Sequence, residues 1–227
     1  MRHPPHIAMI TTRLAGENER MLVHAWDAPV DEAEVWAFVR AQGFGHLVAP
    51  GRREVPVVVP TQFVLDDGEP RPDVLLHLAR PNPVWKALEE SPTVVLSVAG
   101  DWAYVPSAWK AIEGEDVTLG IPTTYYAAAQ LIGAAEVLDD PADKLAVLRR
   151  QLATLEPGSG AADPSVHERR LAGIRAIRIR VREVIGKFKY GGNVDDAHRA
   201  AVADRLSQRR GPGDAAALTH MHRRTPL

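Results

Sequence analysis

His77-Leu-Ala-Arg-Pro-Asn-Pro-Val-Trp85 is the stretch on which the reading of the fold turns. The preceding Val74-Leu-Leu-His-Leu78 is a short apolar run of the kind that forms a buried strand. Asn82 then has the side chain of an N-cap, and Pro83 stands at the first helical position, where its missing N–H costs nothing. A strand therefore meets a helix at a seam carrying a histidine, an arginine and an asparagine. Unpaired amides at a helix start beside Arg80 make a natural anion site. The competing reading is purely architectural: Asn82 caps, Arg80 is a solvated rim charge, and His77 is a satisfied core histidine.

Working outward, Asp31-Glu-Ala-Glu34 opens like a capping box, places Val35, Phe38 and Val39 on one helical face, and stops at Gly43. From Phe44 the period becomes strand-like, through Phe44 to Ala49 and then Val55 to Leu65, with Arg52 and Arg53 between and Asp66-Asp67-Gly68 as the next turn. Pro56 and Pro60 cannot donate to a ladder, so they mark an edge or a bulge where Thr61 and Gln62 expose backbone groups to a ligand. After a short helix to Glu90, Thr93 to Val105 is a long strand broken at Gly100-Asp101. Ser107 to Lys110 and the acidic loop Glu113 to Asp116 lead to an Ala- and Val-rich strand from Ile121 to Leu138. On it Thr123 and Tyr125 share one face, and Thr124 and Tyr126 the other.

Asp140-Pro141 starts a helix in which Leu145, Leu148, Leu152 and Leu155 are spaced as a single buried stripe. Residues 156–164 form a loop, and Ile174 to Val184 alternates Ile177, Ile179 and Val181 with Arg178, Arg180 and Arg182. The arginine row reads as a solvated or dimer-facing edge. A last amphipathic helix runs from about Asp195 to Arg210. This order describes an α+β protein whose antiparallel strands close on themselves as a six-stranded barrel. Residues 1–20 read as a disordered leader, 21–210 as the folded domain with its C-terminal helix, and 211–227 as a flexible tail.

A chain of 227 residues with 45% hydrophobic content buries a real core in one domain. Its net charge of -2 argues against general nucleic-acid binding, which accumulates Lys and Arg. With no cysteine there is no disulfide, zinc-thiolate or haem-thiolate site. No apolar run reaches a membrane span, and Met1-Arg-His-Pro-Pro-His6 has no signal-like core, so the expectation is a cytoplasmic protein.

Phe44-Gly-His-Leu-Val48, the His77 to Trp85 stretch, and Lys187-Phe-Lys189 with Asn193 together resemble the PaiB-like group of FMN-binding split-barrel proteins, over about Met21 to Leu206. The resemblance implies a flavin-reductase/PNPOx-like split barrel with peripheral helices, paired as a homodimer with cofactor sites at the subunit interface. Many members carry the label of negative transcriptional regulator. The chain departs from typical members at Thr123-Thr124-Tyr125, at Tyr190-Gly191-Gly192 and at His46. In these respects it is similar to a divergent branch, the piperazate synthases, which use haem b to join two nitrogens of N5-hydroxyornithine. That branch implies an amino-acid-like substrate and loss of the hydroxyl as water. FMN with flavin reductase or oxidase chemistry is the alternative.

On this resemblance His77 is the first choice of axial ligand to the haem iron and His46 the second. Arg80 and the helix start at Asn82 receive a propionate, or the phosphate of FMN. Trp85 and Trp109 flank a flat ring system, with Thr61 and Gln62 at its edge. Lys187 and Lys189 face a carboxylate from the partner subunit, and Tyr104, Thr123 and Tyr125 position the hydroxylamine.

Overall fold

The computed structural model describes residues 21–51, 55–111 and 116–223. The expected leader, Arg52 and Arg53, most of the acidic loop and the last residues of the tail lie outside the described residues. Asp31 caps α1 (Glu32–Gln42) by accepting from the Glu34 amide at 2.8 Å, and Glu34 in return accepts from the Val30 amide. Gly43 ends α1 at φ 59°, a left-handed conformation that glycine adopts without strain. The strands are β1 (Phe44–Ala49), β2 (Val57–Gln62), β3 (Val64–Asp66), β4 (Asp73–Ala79), β5 (Thr93–Val105), β6 (Thr123–Leu138) and β7 (Ile174–Lys189). The remaining helices are α2 (Val84–Glu90), α3 (Pro141–Leu155), α4 (Asp196–Arg209) and α5 (Asp214–Arg223).

All seven strands join one antiparallel sheet in the order β2-β1-β5-β6-β7-β4-β3. The two ends of that order are consecutive in sequence: Phe63 alone separates β2 from β3, and its amide donates to the Gly43 carbonyl at 3.0 Å. The sheet therefore curls back on itself as a split barrel. The expected single strand from Val55 to Leu65 is two strands, because at Phe63 the chain leaves one edge of the sheet and joins the other. That is why the count is seven and not six. Pro60 sits on the edge strand β2, where its missing donor is harmless.

Inside the curl pack Leu47, Phe63, Leu76, Leu96, Leu131, Ile177, Ile179 and Phe188, all buried, each worth about 1.5–3 kcal/mol of transfer free energy. The break in β5 is a bulge between Gly100 and Ala103, with Asp101 at φ 52°. Asp140 caps α3 as expected, but the leucine stripe is not its buried face. Lys144, Val147 and Gln151 point inward, while Leu155 is 44% exposed. Across the fold Lys144 meets Asp139 at 3.0 Å and the Gln151 side-chain oxygen meets His77 Nδ1 at 2.7 Å, while the Gln151 Nε2 is buried without a partner.

From Gly211 to Arg223 the chain is folded, where a flexible tail was expected. The chain turns at Gly213, whose Cα stands so near the Trp102 carbonyl that a Cβ would collide with it. It then forms α5, held by Asp214 on Arg209 at 2.9 Å and by His220 on Asp101 at 2.7 Å. His220 is 5% exposed and stacks on Tyr190 with ring centroids 4.7 Å apart. No helix among the described residues is long and apolar enough to cross a membrane.

Candidate functional site

A groove of about 690 Å³ opens where β6 begins and β7 ends. Its walls are Lys110, the segment Leu119 to Thr123, Tyr125, Lys189, Gly191 and the start of α4 at Asn193 to His198. The strand alternation read from sequence holds here. Tyr125 points inward and is 1% exposed, while Tyr126 on the other face lies under Lys187 and Lys189 at 5.8 and 6.0 Å from its ring centroid. Gly191, at φ 77°, leaves room for the Tyr125 hydroxyl, which a Cβ there would strike. That hydroxyl has no hydrogen-bond partner, and burial pushes its pKa up to about 12 against a smaller opposing pull from Arg199. An unsatisfied buried donor of this kind is costly.

Two cations share the groove. The Lys189 ammonium donates to the Thr123 hydroxyl at 2.8 Å, and no carboxylate among the described residues pairs with Lys189 or Lys110. Burial and the positive charge of Lys189 hold Lys110 below the ordinary lysine range. On α4 the Asp195 carboxylate accepts from the His198 amide at 2.8 Å, which fixes the first turn and sets the imidazole against the groove. The His198 Nε2 is buried without a partner. Burial, then the charge of Lys110, lowers the His198 pKa; Asp195 pulls the other way, and Arg205 adds to the lowering.

Of the residues singled out in the sequence, the groove gathers Thr123, Tyr125 and Lys189. The seam from His77 to Trp85 lies elsewhere, and its polar groups are engaged with the protein. Arg80 makes a two-pronged ion pair with Asp139 at 2.6 and 3.0 Å and donates to the Ala172 carbonyl at 2.6 Å. Asp139 also receives Lys144 and Arg175, and the Arg80 hydrogen bond is the leading reason its carboxyl lies well below the usual range. The helix α2 begins at Val84, one residue later than expected, and the Asn82 side chain accepts from the Val84 amide at 3.0 Å. Trp85 is buried, with its indole N–H on the Ala79 carbonyl at 3.1 Å. Arg80 and Asn82 are thus engaged within the protein, Arg80 as an ion-paired clamp and not as the solvated rim charge of the competing reading.

The other candidates are dispersed. His77 is half-buried with Nδ1 against the Gln151 side-chain amide oxygen, and His46 is exposed on β1 opposite Pro60 and Ser97. Thr61 is buried and bonded to the Gln62 carbonyl, while Gln62 is exposed on the edge strand. Lys187 donates to the Leu22 carbonyl at 2.8 Å. Trp109 is covered by the Arg209 guanidinium, 4.8 Å from its ring centroid, and Tyr104 is half exposed opposite Thr124. In the arginine row Arg180 pairs with Glu136 at 3.0 Å and Arg178 lies 3.6 Å from Asp73. Lys110 and His198 were not singled out, since neither sits in a local motif; only the capping spacing Asp195 to His198 hinted at where that imidazole goes.

Comparison with known proteins agrees with this architecture. A family model described as "Putative FMN-binding domain" matches residues 21–183. The protease synthase and sporulation protein PAI 2 of Bacillus subtilis is 24% identical over 184 residues, covering 79% of this chain and 86% of that protein. The flavocytochrome Anf3 of Azotobacter vinelandii superposes with a TM-score of 0.58 at 25% identity, covering 78% of this chain and 75% of its own. An FAD- and haem-binding protein of Mycobacterium smegmatis has the same TM-score at 18% identity, covering 77% and 79%, and shares the fold.

Proposed function

The chain belongs to the FMN-binding domain family, and from that premise we propose that it binds a flavin nucleotide in the groove at the open end of the barrel, with the phosphate on Lys110 and Lys189. One observation carries the reading: two ammonium groups without carboxylate partners among the described residues line a groove whose deeply buried Tyr125 hydroxyl is unsatisfied. The residues present fit such a ligand. A volume of about 690 Å³ lies within the range of cofactor pockets, the lysines supply positive charge, and Leu119, Ile121 and Pro122 supply an apolar flank for a flat ring. Bound flavin supplies hydride and electron transfer. Lys189 is oriented by Thr123 to hold an anion, Tyr125 donates a hydrogen bond to it, and the apolar segment from Leu119 to Pro122 excludes water from one side.

Titration of the purified protein with FMN tests this. The expected result is stoichiometric quenching of flavin fluorescence, weakened at least tenfold in Lys189→Met. Failure to bind FMN, or equal binding by the variant, would sink the proposal. The outer face of β1 and β2 leaves Phe44 54% and Val58 51% exposed, which supports pairing of two copies. Light scattering should then return twice the 24.8 kDa chain mass, and a monomer at micromolar concentration would exclude the pairing.

The second reading is a haem-dependent cyclase of the piperazate synthase kind. It is supported by the His77 Nδ1 bond to Gln151, the type of contact that orients an axial imidazole, and by the likeness to a protein named a flavocytochrome. A Soret band lost in His77→Ala is its signature, and a protein that takes up flavin but no haem rules it out.

A further inference from the structure

We propose that a second groove, between α3 and the 3-10 segment Pro164–Gly173, binds the hydrocarbon chain of a medium-length fatty carboxylate, with the head group paired to Arg170. The proposal is independent of the flavin reading. Ile174 begins β7 and Lys189 ends it, so the two grooves sit at opposite ends of a 16-residue strand.

The leucine stripe of α3 explains the groove. Its buried face is Lys144, Val147 and Gln151, so Leu148 and Leu152 are left half-buried on the flank of the helix. Pro164, Leu171 and Ile174 face them across a space of about 390 Å³, at the small end of ligand pockets. The opposite wall is braced. Asp163 caps the 3-10 segment by accepting from the Ser165 amide at 3.0 Å, and Arg149 of α3 grips the same carboxylate at 2.7 and 3.0 Å. The helical path breaks at His167, and the two polar side chains of the lining, His167 and Arg170, follow from that kink.

Charge decides what this apolar space accepts. No carboxylate stands among the described lining residues. The neighbouring arginines are already paired, Arg149 with Asp163 and both Arg80 and Arg175 with Asp139. Arg170 lines the groove and has no ion pair among the described residues. The nearest acid on its own segment is Glu168, which lies with Arg169 and Arg170 in a shallow dent alongside. One unpaired guanidinium near one acid suits a monoanion better than a dianion, and its parallel N–H groups match the two oxygens of a carboxylate. An apolar wall ending in a single cation is complementary to a molecule with a saturated chain and one carboxylate.

An NMR titration of the full chain with octanoate, hexanoate and octan-1-ol tests this, read at the methyl groups of Leu148, Leu152 and Leu171. Octanoate should shift those methyls and bind about fivefold tighter than octan-1-ol, the scale of one exposed ion pair. Added salt should erase that difference. Hexanoate, shorter by two methylenes, should bind between about fourfold and fifteenfold more weakly. Arg170→Gln should bring octanoate down to the alcohol, and Leu152→Gln should weaken both ligands, with circular dichroism checking its fold. Lys189→Met should leave octanoate binding unchanged. Equal binding of octanoate and octan-1-ol at low salt, an Arg170→Gln variant that binds octanoate like the wild type, or loss of binding in Lys189→Met would each overturn the proposal. So would octanoate splitting a dimer of the chain in light scattering, since the groove would then hold a second copy.

Discussion

Replacing Tyr125 with phenylalanine separates what the groove costs the free protein from what it gives a ligand. The hydroxyl is buried in a side chain 1% exposed and has no partner, while the ring packs edge-on against Tyr190 with centroids 6.0 Å apart. Phe keeps the ring contact and removes the orphan donor. An unsatisfied buried hydroxyl costs about 1–3 kcal/mol, so Tyr125→Phe should stabilise the ligand-free protein by about 1 kcal/mol. For a chain of this size that is a rise in Tm of roughly 2–4 °C. The same change deletes a hydrogen bond to a charged phosphate, worth about 1.5–3 kcal/mol, and FMN affinity should fall roughly tenfold to a hundredfold. Scanning calorimetry of the free protein and a flavin titration read the two effects. A variant that melts lower and binds FMN as well as the wild type would refute the reasoning, since the hydroxyl would then be doing structural duty.

Asp139→Asn should cost about 2 kcal/mol, because it strips the partner from Lys144, whose side chain is 4% exposed, with the figure discounted for the 40% exposure of Asp139 itself. The Asp139 pKa is depressed in the fold, so its contribution is present above about pH 4, the unfolded value, and is lost as pH falls from there. Acid melting curves should accordingly be shallower in the variant than in the wild type, and parallel curves would count against the clamp. Arg80→Ala should lower Tm while leaving FMN affinity within about twofold, since its guanidinium is held by Asp139 and Ala172; a large loss of flavin binding would restore the anion cradle at that seam. His220→Ala should cost about 2–3 kcal/mol by removing the stack on Tyr190 and the contact with Asp101. An unchanged Tm is what a frayed tail would give instead.

The local chemistry of the chain was legible wherever neighbours in sequence decide it. The caps of α1 and α3, the bulge after Gly100, the edge position of Pro60 and the alternation of Thr123 and Tyr125 all follow from spacing. What escaped was set by partners far away. Arg80 reads as a free cation until Asp139, 59 residues on, is brought against it. The buried face of α3 was misassigned because Lys144 and Gln151 are polar by composition yet paired by the fold with Asp139 and His77. Hydrophobic spacing alone favours the leucines. The helix α5 escaped for the same reason, since its anchors Asp101 and Trp102 lie more than a hundred residues earlier. Lys110 and His198 come together only once the start of β6 and the end of β7 meet.

The most direct test of the account is a crystal structure of the protein with FMN bound. The account predicts the phosphate within hydrogen-bond reach of the Lys110 and Lys189 ammonium groups and the Tyr125 hydroxyl. A phosphate seated instead at the start of α2 beside Arg80, with the groove empty, would contradict it.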